Sequence, residues 1–524
     1  MTNPISDITN EVELMLVIGA NPTEAHPIIG YKMRQAARKG AKLVVCDPRH
    51  IDLVDEADYW LRQNHGTDIP LVNGLMHIII KEGLEDKKFI EERTENYEEL
   101  KAIVENYPPE KVAELTGISV EDLYAVARLY ATTDKATIYY TLGITEHICG
   151  TRNVMSLANL AMLTGHIGRP GTGVCPMRGQ NNVQGACDMG ALPNVYSGYQ
   201  AVTSDEAREK HEKAWGVSLS NKLGLKIPEM FDAAVEGKVK AMYILGENPV
   251  LTDPNANHIK HGLEKLDFLV VQELFLTETA QYADVVLPGA SFAETDGTFT
   301  NTERRVQRVR KAIEPLCGKP EWETICEIST RLGYPMSYNS PKEIWDEMAS
   351  LSPSMAGINY DRIEENNGLQ WPCPTLEHPG TPFLHAGKFT RGLGLFQPSE
   401  HIPPGEMPDE EYNYLLCTGR ILQHYNVTTP YSPAITSIWN KEMAEVNPID
   451  AEKLGIETGS QVKVTSRRGE VVTHVKVTDR VLPGVIWMSF HYADTPTNDV
   501  TSQYLDPITG TGEYKVAAVK IEKL

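Results

Sequence analysis

LMLVIGANP (Leu14–Pro22) and AMYILGENP (Ala241–Pro249) are two apolar runs of equal length, and each ends in a Gly-x-Asn-Pro turn. The similarity continues downstream at nearly the same spacing, where KLVVCDP (Lys42–Pro48) corresponds to FLVVQEL (Phe268–Leu274) and ADYWL (Ala57–Leu61) to ADVVL (Ala283–Leu287). Each copy therefore predicts a strand, a helix, a strand, a short connection and a strand. Short β-branched runs separated by helical lengths are typical of βαβ units on a parallel sheet.

The Gly-x-Asn-Pro turns stand where ligands bind in such sheets, beyond the carboxyl ends of the strands. Glycine allows a close backbone approach, and the second strand of each copy ends in an acid, Asp47 or Glu273, suited to a ribose hydroxyl or a purine N–H group. One such turn alone is equally well explained as a simple chain reversal. Two copies at matching places favour a chain that holds two similar nucleotide-like groups.

The chain has 524 residues, of which 41% are apolar and 23% charged, and its net charge is −22. This composition is typical of a globular protein. This charge argues against a nucleic-acid or anionic-membrane partner, because both attract basic surfaces. No apolar run approaches the roughly 20 residues of a membrane span, which predicts no direct membrane insertion. The first residues lack the pattern of a signal peptide, so we expect a cytoplasmic location, unless a twin-arginine signal lies upstream.

The eight cysteines are dispersed, and none stand two or three residues apart. The chain therefore has no CxxC pair of the kind that binds zinc or an iron–sulfur cluster. We expect reduced and mostly buried thiols.

CPMRGQNNVQGACDMGALP (Cys175–Pro193) brings an arginine and a row of amides to the end of an apolar, helix-like stretch. Arg178 has two interpretations from the residues alone: a buried ion pair with a carboxylate, or a group that binds an anion. A later segment, Ala283–Gln307, is predicted to be a loop that places Thr295 and Asn301 near the same pocket.

Several motifs together resemble the molybdopterin oxidoreductases of the dimethyl sulfoxide reductase family, in order along essentially the whole chain. They are LVIGANPTEAHP, CDPRH, HGTD, RGQNNVQGACDMGALP, YILGENP, GTFTNTERRVQ, CTGRILQHYN and DPITGTGEYK. Within that family, RGQNNVQGACDMGALP resembles the formate dehydrogenase catalytic subunits.

This resemblance implies a fold of two Rossmann-like parallel-sheet domains related by a pseudo-repeat, followed by a C-terminal β-barrel of the double-psi type. It implies four segments. Residues 1–180 and 181–345 each bind one pterin guanine dinucleotide, and 293–321 are partly a return segment to an N-terminal domain. Residues 346–404 are a linker and return segment, and 405–524 are the barrel. The Pro- and Gly-rich stretches beyond about residue 335 agree with linkers, and the alternating β-runs of the last part agree with a barrel.

The resemblance further implies formate oxidation to carbon dioxide, or the reverse, at molybdenum or tungsten in a bis(molybdopterin guanine dinucleotide) cofactor. Arg178 would be the catalytic residue that grips formate with two parallel hydrogen bonds, because guanidinium matches a planar carboxylate. Gln180 would hydrogen-bond the cofactor, and no residue of the chain is assigned as a metal ligand. The implied partners are formate or carbon dioxide and iron–sulfur or other electron-transfer subunits.

The cofactor-binding residues implied by the resemblance fall into three groups. The first dinucleotide is assigned to Gly19, Asn21, Pro22, Asp47, Pro48, Gly66, Thr67 and Asp68, with Asp68 on the guanine edge. The second is assigned to Gly246, Asn248, Gln272, Glu273 and Thr295. The barrel residues that would close over pterins and phosphates are Thr418, Gly419, Arg420, His424, Tyr425, Phe490, Asn498 and Lys515. For His424, a hydrogen-bonded surface histidine is the alternative.

The sequence also departs from the family pattern, in which a four-cysteine [4Fe-4S] domain, a cysteine or selenocysteine metal ligand, an adjacent histidine and a lysine come first. We expect these, and any [4Fe-4S] cluster, only upstream of residue 1, and we expect the chain alone to be inactive. A UGA codon for selenocysteine read as a stop would make Met1 an internal methionine of a selenoprotein, so an in-frame UGA is expected in the upstream DNA. Two other functions stay open: a non-catalytic cofactor-binding paralogue, and another oxidoreductase of the family such as a nitrate reductase.

Overall fold

The computed structural model describes all 524 residues, and the chain divides into two compact units. Unit 1 comprises Met1–Met177, Pro249–Lys260 and Phe383–Leu524, and unit 2 comprises Arg178–Asn248 and His261–Pro382. The four segments expected from the sequence stay a prediction.

The strands, in chain order, are β1 (Leu14–Ile18), β2 (Lys42–Cys46), β3 (Tyr59–Leu61), β4 (Thr94–Glu95), β5 (Ala136–Tyr140), β6 (Gly173–Pro176), β7 (Val195–Tyr196), β8 (Gln200–Ala201), β9 (Ala241–Leu245), β10 (Phe268–Glu273), β11 (Val285–Pro288), β12 (Gly297–Thr300), β13 (Arg305–Val309), β14 (Leu369–Gln370), β15 (Gly394–Leu395), β16 (Tyr414–Gly419), β17 (Met443–Val446), β18 (Gln461–Thr465), β19 (Glu470–Val477), β20 (Val485–Ser489) and β21 (Ala517–Lys523).

The α-helices are α1 (Asp7–Asn10), α2 (Pro22–Ala25), α3 (Pro27–Arg38), α4 (Asp68–Lys81), α5 (Lys87–Arg93), α6 (Tyr97–Val104), α7 (Pro109–Thr116), α8 (Val120–Thr132), α9 (Leu142–Thr145), α10 (Gly150–Leu163), α11 (Val183–Asp188), α12 (Asp205–Trp215), α13 (Ile227–Val235), α14 (Pro249–Thr252), α15 (Ala256–Glu264), α16 (Glu321–Arg331), α17 (Pro341–Leu351), α18 (Tyr360–Glu365), α19 (Pro433–Thr436) and α20 (Pro448–Leu454). None of these helices is long and apolar enough to cross a bilayer.

A five-stranded parallel sheet in the order β3-β2-β1-β5-β6 forms the centre of unit 1. Alternate residues of β1 point to opposite faces, and both faces are buried. Leu14, Leu16 and Ile18 share one core with helices α4, α8 and α10, whereas Met15 and Val17 share the other with α3. The predicted parallel sheet is therefore confirmed.

The C-terminal strands close into a six-stranded barrel in the order β16-β20-β17-β19-β18-β21. Its interior is filled by apolar side chains such as Leu416, Val464 and Ile486, each fully buried. The short helix α20 begins at Asn447, whose side chain accepts the Ile449 N–H. These features confirm the predicted mainly β domain.

Unit 2 contains a three-stranded parallel sheet in the order β11-β10-β9, and the second copy of the repeat forms it. Both copies thus have the predicted succession of strands and helix. An antiparallel sheet, β12-β13-β14, packs with α17 and α18 around Trp345 and Met355. Part of the stretch expected to be a linker therefore contributes to a small core.

A buried ion pair links the parallel sheet of unit 1 to its barrel. Arg49 follows β2, and its guanidinium donates to both carboxylate oxygens of Glu445 on β17, at 2.8 and 3.0 Å. The guanidinium also lies 4.0 Å from the centre of the Trp487 ring and 3.7 Å from Glu24. Arg49 is 8% exposed and Glu445 3% exposed, so the barrel position depends on a desolvated contact.

We expect Glu445→Gln to lower the free energy of unfolding by about 3 kcal/mol or more, because the substitution leaves a buried guanidinium without its bidentate partner. Glu522→Gln is the control, since that side chain is 51% exposed on β21, and it should cost less than about 0.5 kcal/mol. Urea unfolding followed by tryptophan fluorescence measures both, and equal effects would contradict the assigned role.

Candidate functional site

The turn after β1 is a point of close backbone contact. The Gly19 N–H donates to the Cys46 carbonyl at 3.0 Å, and the Gly143 N–H donates to the Gly19 carbonyl at 3.0 Å. Gly19 has φ +53, and a Cβ at this position would lie 2.7 Å from the carbonyl carbon of Gly143. The turn lies between β1 and β5, where the winding of the sheet reverses, which is the usual ligand position in such sheets.

Asn21 and Pro22 continue this turn into α2. Pro22 is the first residue of the helix, where its absent N–H is not needed. The Asn21 amide oxygen accepts the Thr23 hydroxyl at 2.8 Å, and its amide nitrogen has no partner within the chain. That nitrogen can therefore donate to a ligand.

Asp47 and Pro48 follow β2 at the same edge of the sheet. One Asp47 carboxylate oxygen accepts the Arg49 N–H at 2.9 Å, and the Pro48 carbonyl accepts the Arg62 guanidinium at 3.0 Å. Burial raises the pKa of Asp47 to about 7; the charge of Arg49 opposes this shift and Asp68 adds to it. The electrostatic coupling places the carboxylates of Asp47 and Asp68 in one neighbourhood.

Gly66, Thr67 and Asp68 form the beginning of α4. Gly66 has φ +75, and a Cβ there would lie 2.4 Å from the Pro404 ring. The Thr67 hydroxyl donates to the Asn64 carbonyl at 2.7 Å. Asp68 is buried, accepts the Gln63 amide at 3.2 Å, and has its pKa raised by that burial.

His147 is a member of this neighbourhood that the sequence analysis missed. Its Nε2 lies 4.0 Å from Asp68, and its Nδ1 lies 3.7 Å from the buried Glu513. Burial acts to lower the pKa of His147, but Glu513 and Asp68 prevail and raise it. The signal in the sequence that could have indicated His147 was the polar stretch Thr145–His147, which follows shortly after ATIYY, the strand that pairs with β1.

The end of β16 binds Lys515, a lysine just before β21, in the same region of unit 1. The Thr418 hydroxyl donates to the Tyr514 carbonyl at 2.9 Å, and the Thr418 carbonyl accepts Lys515 Nζ at 3.0 Å. Lys515 also pairs with Glu146 at 2.7 Å and contributes to the electrostatics of Asp47. Gly419 lies against the Trp487 ring, where a Cβ would approach to 2.8 Å.

Arg420 is a largely buried guanidinium that forms no ion pair. It donates to the Asn426 amide oxygen and lies 5.3 Å from the centre of the Phe490 ring. Burial lowers the pKa of Arg420. A cation in this environment, without a carboxylate, is suited to a phosphate group.

Three of the predicted barrel residues, His424, Asn498 and Tyr425, differ from Arg420 in their surroundings. His424 is 6% exposed and lies within hydrogen-bonding distance of the Trp439 carbonyl at 3.0 Å and the Tyr492 hydroxyl at 2.7 Å, so it is not a surface histidine. The Asn498 amide donates to the Leu251 carbonyl at 2.7 Å. Tyr425 is 48% exposed.

The strand ends of unit 2 repeat the backbone geometry of unit 1. Gly246 has φ +62, and its N–H donates to the Gln272 carbonyl at 2.9 Å. The buried Asn248 amide donates to Glu278 at 2.8 Å and accepts the Thr279 hydroxyl at 2.7 Å. Asn248 therefore fixes the loop after β10, unlike its counterpart Asn21.

Gln272 and Glu273 end β10. The Gln272 amide oxygen accepts the Tyr243 hydroxyl and its nitrogen donates to the Pro288 carbonyl at 3.1 Å, so its side chain is used within the sheet. Glu273 is partly buried, which raises its pKa, and the charges of Glu247 and Glu321 add to that shift.

Arg178 forms no ion pair. Its N–H donates to the Thr302 hydroxyl at 2.9 Å, and its guanidinium contacts the Cys187 sulfur at 3.7 Å. The ion pair that the sequence left open is therefore not formed. Gln180 and Thr295 are both partly buried, and their side chains have no hydrogen bond within the chain.

Asp188 is a second residue that the sequence analysis missed. It is fully buried and accepts hydrogen bonds from Gln184 at 2.7 Å, Tyr199 at 2.8 Å and Trp371 at 2.7 Å. These three neutral donors hold the loop that carries Arg178. In the sequence, the only signal for this role was the position of Asp188 in the ACDMG stretch, ten residues after Arg178.

Comparison with known proteins identifies the family of the chain. The family model described as molybdopterin oxidoreductase matches residues 1–331, and the molydopterin dinucleotide binding domain matches residues 414–518. The chain is 45% identical to the F420-dependent formate dehydrogenase 1 subunit alpha of Methanococcus maripaludis, over 100% of this chain and 78% of that protein. It is 42% identical to formate dehydrogenase H of Escherichia coli, over 100% of this chain and 74% of that protein.

Among solved structures, acetylene hydratase from Pelobacter acetylenicus matches with a TM-score of 0.76. The match covers 100% of this chain and 81% of that chain at 21% identity. It shows the shared fold alone.

The two repeat glycines give a matched pair of variants. Gly19→Ala must strain a positive φ and also displace the Gly143 backbone, whereas Gly246→Ala strains φ with open space around the added methyl. We expect about 1–2 kcal/mol of destabilisation for Gly246→Ala and at least about 2 kcal/mol more for Gly19→Ala. Urea unfolding of both variants measures the difference, and equal losses would contradict the close contact.

Asp47 predicts a pH dependence of stability for the cofactor-free protein. Its folded-state pKa of about 7 lies above the ordinary value of 3.8, so the folded state holds a proton that the unfolded state releases. Stability should therefore fall as the pH rises from about 4 to about 7. Asp47→Asn should raise the thermal midpoint at pH 8 but not at pH 4.

The control for this experiment is Asp134→Asn, because that carboxylate is 72% exposed. It should shift the midpoint equally little at both pH values. A thermal midpoint at pH 8 that is the same for Asp47→Asn and the wild type would contradict the assignment of a buried, protonated carboxyl to Asp47.

Proposed function

Because the chain belongs to the molybdopterin oxidoreductase family and contains its dinucleotide-binding domain, we propose that it acts on formate at a bis(molybdopterin guanine dinucleotide) centre of molybdenum or tungsten. The reaction is the oxidation of formate to carbon dioxide, a proton and two electrons, or its reverse. Relatives named as formate dehydrogenases, at 42–47% identity over the whole chain, support the substrate, and two of them are named as alpha subunits.

The observation that carries this proposal is the Arg178 guanidinium, which has no carboxylate partner in unit 2. Its backbone is fixed by Thr302 and its side chain rests against Cys187, so the planar group is positioned without an ion pair, while its charge also acts on Asp188. A guanidinium of this kind binds a planar carboxylate through two parallel hydrogen bonds.

Arg178 would act on formate by orienting it and by holding its negative charge. Carbon dioxide carries no charge, so the guanidinium would bind the product more weakly than the substrate and favour its release. The cofactor, when bound, supplies the two-electron acceptor of the reaction.

The residues of unit 1 fit one dinucleotide by the chemistry of their free groups. The Asn21 amide nitrogen and the unpaired Arg420 guanidinium are donors for a phosphate or a base, and Gly19 permits a close backbone approach. Asp47 and Asp68 are acceptors for ribose hydroxyls and a guanine edge.

Unit 2 offers a smaller set for the second dinucleotide. We assign direct contacts to Gly246, which has open space around its Cα, and to Glu273, Gln180 and Thr295, whose side chains form no hydrogen bond to a neighbouring strand. Asn248 and Gln272 would act indirectly, because their amides hold the loops around the strand ends. Electron-transfer subunits are the proposed partners, consistent with relatives named as alpha subunits.

Arg178→Lys tests the substrate assignment in whichever cofactor-loaded form of the protein is active with formate. Lysine keeps the charge but loses the planar fork, which should cost on the order of 2–4 kcal/mol, or roughly 30- to 1000-fold in kcat/KM for formate. Metal content should stay near normal. Dye reduction by formate, calorimetric titration of formate and metal analysis measure these quantities.

Two variants of unit 2 serve as controls. Arg310→Lys changes an arginine whose side chain is 63% exposed and should leave both activity and formate affinity unaltered. Gln180→Ala should lower metal content more than activity per bound metal. Unchanged formate affinity and kcat/KM in Arg178→Lys would contradict the assignment of Arg178 to formate. A preference for nitrate over formate would instead indicate that the substrate is another oxyanion.

A further inference from the structure

The guanidinium of Arg178 is engaged within the chain through a single nitrogen. Its Nη1 donates to the Cys187 sulfur at 3.7 Å, whereas Nε and Nη2 have no hydrogen bond within the chain. A guanidinium is planar, and Nε and Nη2 form one edge of the plane with two parallel N–H groups. This edge stays free whichever of its two hydrogens Nη1 gives to the thiol.

Two other arginines of the chain show how a guanidinium can bind a carboxylate through two hydrogen bonds. Arg49 binds Glu445 through Nε and Nη2, at 2.8 and 3.0 Å. Arg468 binds Glu406 through Nη1 and Nη2 instead, at 3.2 and 2.8 Å. At Arg178 the second geometry would compete with the thiol for Nη1. A carboxylate ligand of Arg178 is therefore expected on the Nε–Nη2 edge.

Cys187 is held in place by contacts that do not involve the guanidinium. It lies in α11, and the side-chain oxygen of Asn182, just before this helix, accepts the Thr300 N–H at 2.9 Å. At the other end of α11, the buried Asp188 accepts hydrogen bonds from two aromatic side chains outside the helix. Because α11 is fixed at both ends, the thiol is a stationary contact for Nη1.

We propose that Cys187 is a positioning residue, which holds Nη1 of Arg178 so that the Nε–Nη2 edge is presented to the carboxylate of formate. A thiol is a weak, uncharged acceptor, so it restricts the long side chain without forming an ion pair. A side chain that is ordered before binding loses less entropy when the ligand arrives, which raises affinity. The inference rests on the proposed function, in which Arg178 binds formate.

Variants at position 187 test this role in whichever cofactor-loaded form of the protein is active with formate. Cys187→Ala removes the acceptor and should raise KM for formate about three- to tenfold, with kcat within about twofold, because the lost contact acts on binding. Cys187→Ser keeps an acceptor at the same place and should stay within about twofold of the wild type in both constants.

Cys187→Asp and Cys187→Asn form a pair of equal size that differs in charge. An aspartate beside Nη1 would bind the guanidinium as an ion pair, so formate would compete with an internal carboxylate. KM should then rise at least about thirtyfold, because the guanidinium is open to formate for only a fraction of the time. The asparagine supplies a neutral acceptor, and its KM should rise less than about fivefold.

Cys317→Ala is the control for the loss of a thiol in unit 2. The Cys317 thiol donates to the Lys319 carbonyl at 3.1 Å, and its removal should leave KM for formate unaltered. Metal content and the urea midpoint of unfolding are measured for every variant, and rates are expressed per bound metal.

The outcomes separate the positioning role from the proposed function. If Arg178→Lys is impaired but the alanine and aspartate variants of Cys187 keep the wild-type KM, the positioning role is wrong and the substrate assignment stands. A loss of activity at position 187 that lost metal explains completely would also overturn it, in favour of a structural role. Full activity of Arg178→Lys would overturn the proposed function, and this inference with it.

Discussion

A parallel sheet is stable only when both of its faces are buried, and this constraint accounts for much of the molecule. In unit 1 the five-stranded sheet meets it with helices on both sides, so every side chain of β1 is inaccessible. Polar chemistry is thereby confined to the carboxyl ends of the strands. Gly19, Asp47 and His147 lie there because nowhere else on the sheet can a polar group meet a ligand.

The strands, the parallel sheets and the barrel were predictable from the sequence because their signals are local. An apolar run that ends in Gly-x-Asn-Pro specifies a strand and its turn within nine residues, and the repeat doubles the signal. Alternating runs near the C-terminus specify barrel strands in the same way. The positions of Gly19 and Gly246, both with a positive φ, followed directly from the motif.

The roles of individual polar side chains were less predictable, because their partners are distant in sequence. Asn21 and Asn248 occupy the same place in the motif, yet only Asn248 is bound by a glutamate and a threonine about 30 residues further on. The surroundings of His147 likewise depend on a distant residue, Glu513. This glutamate also accepts the N–H of Ile148, the residue after His147, across 365 positions of the sequence. A motif describes the backbone at a strand end but not which side chains remain free.

Arg49 and Arg178 show how the surroundings decide the role of one side chain. Arg49 is buried against two glutamates and a tryptophan, so its charge is neutralised within unit 1. The acid nearest in sequence to Arg178 within its motif is Asp188, whose carboxylate is already occupied by three neutral donors. The charge of Arg178 acts to lower the pKa of Asp188, but the two form no ion pair, because three other side chains already bind the carboxylate. The Arg178 guanidinium therefore keeps N–H groups for a ligand, which is the condition that bidentate binding of a small carboxylate requires.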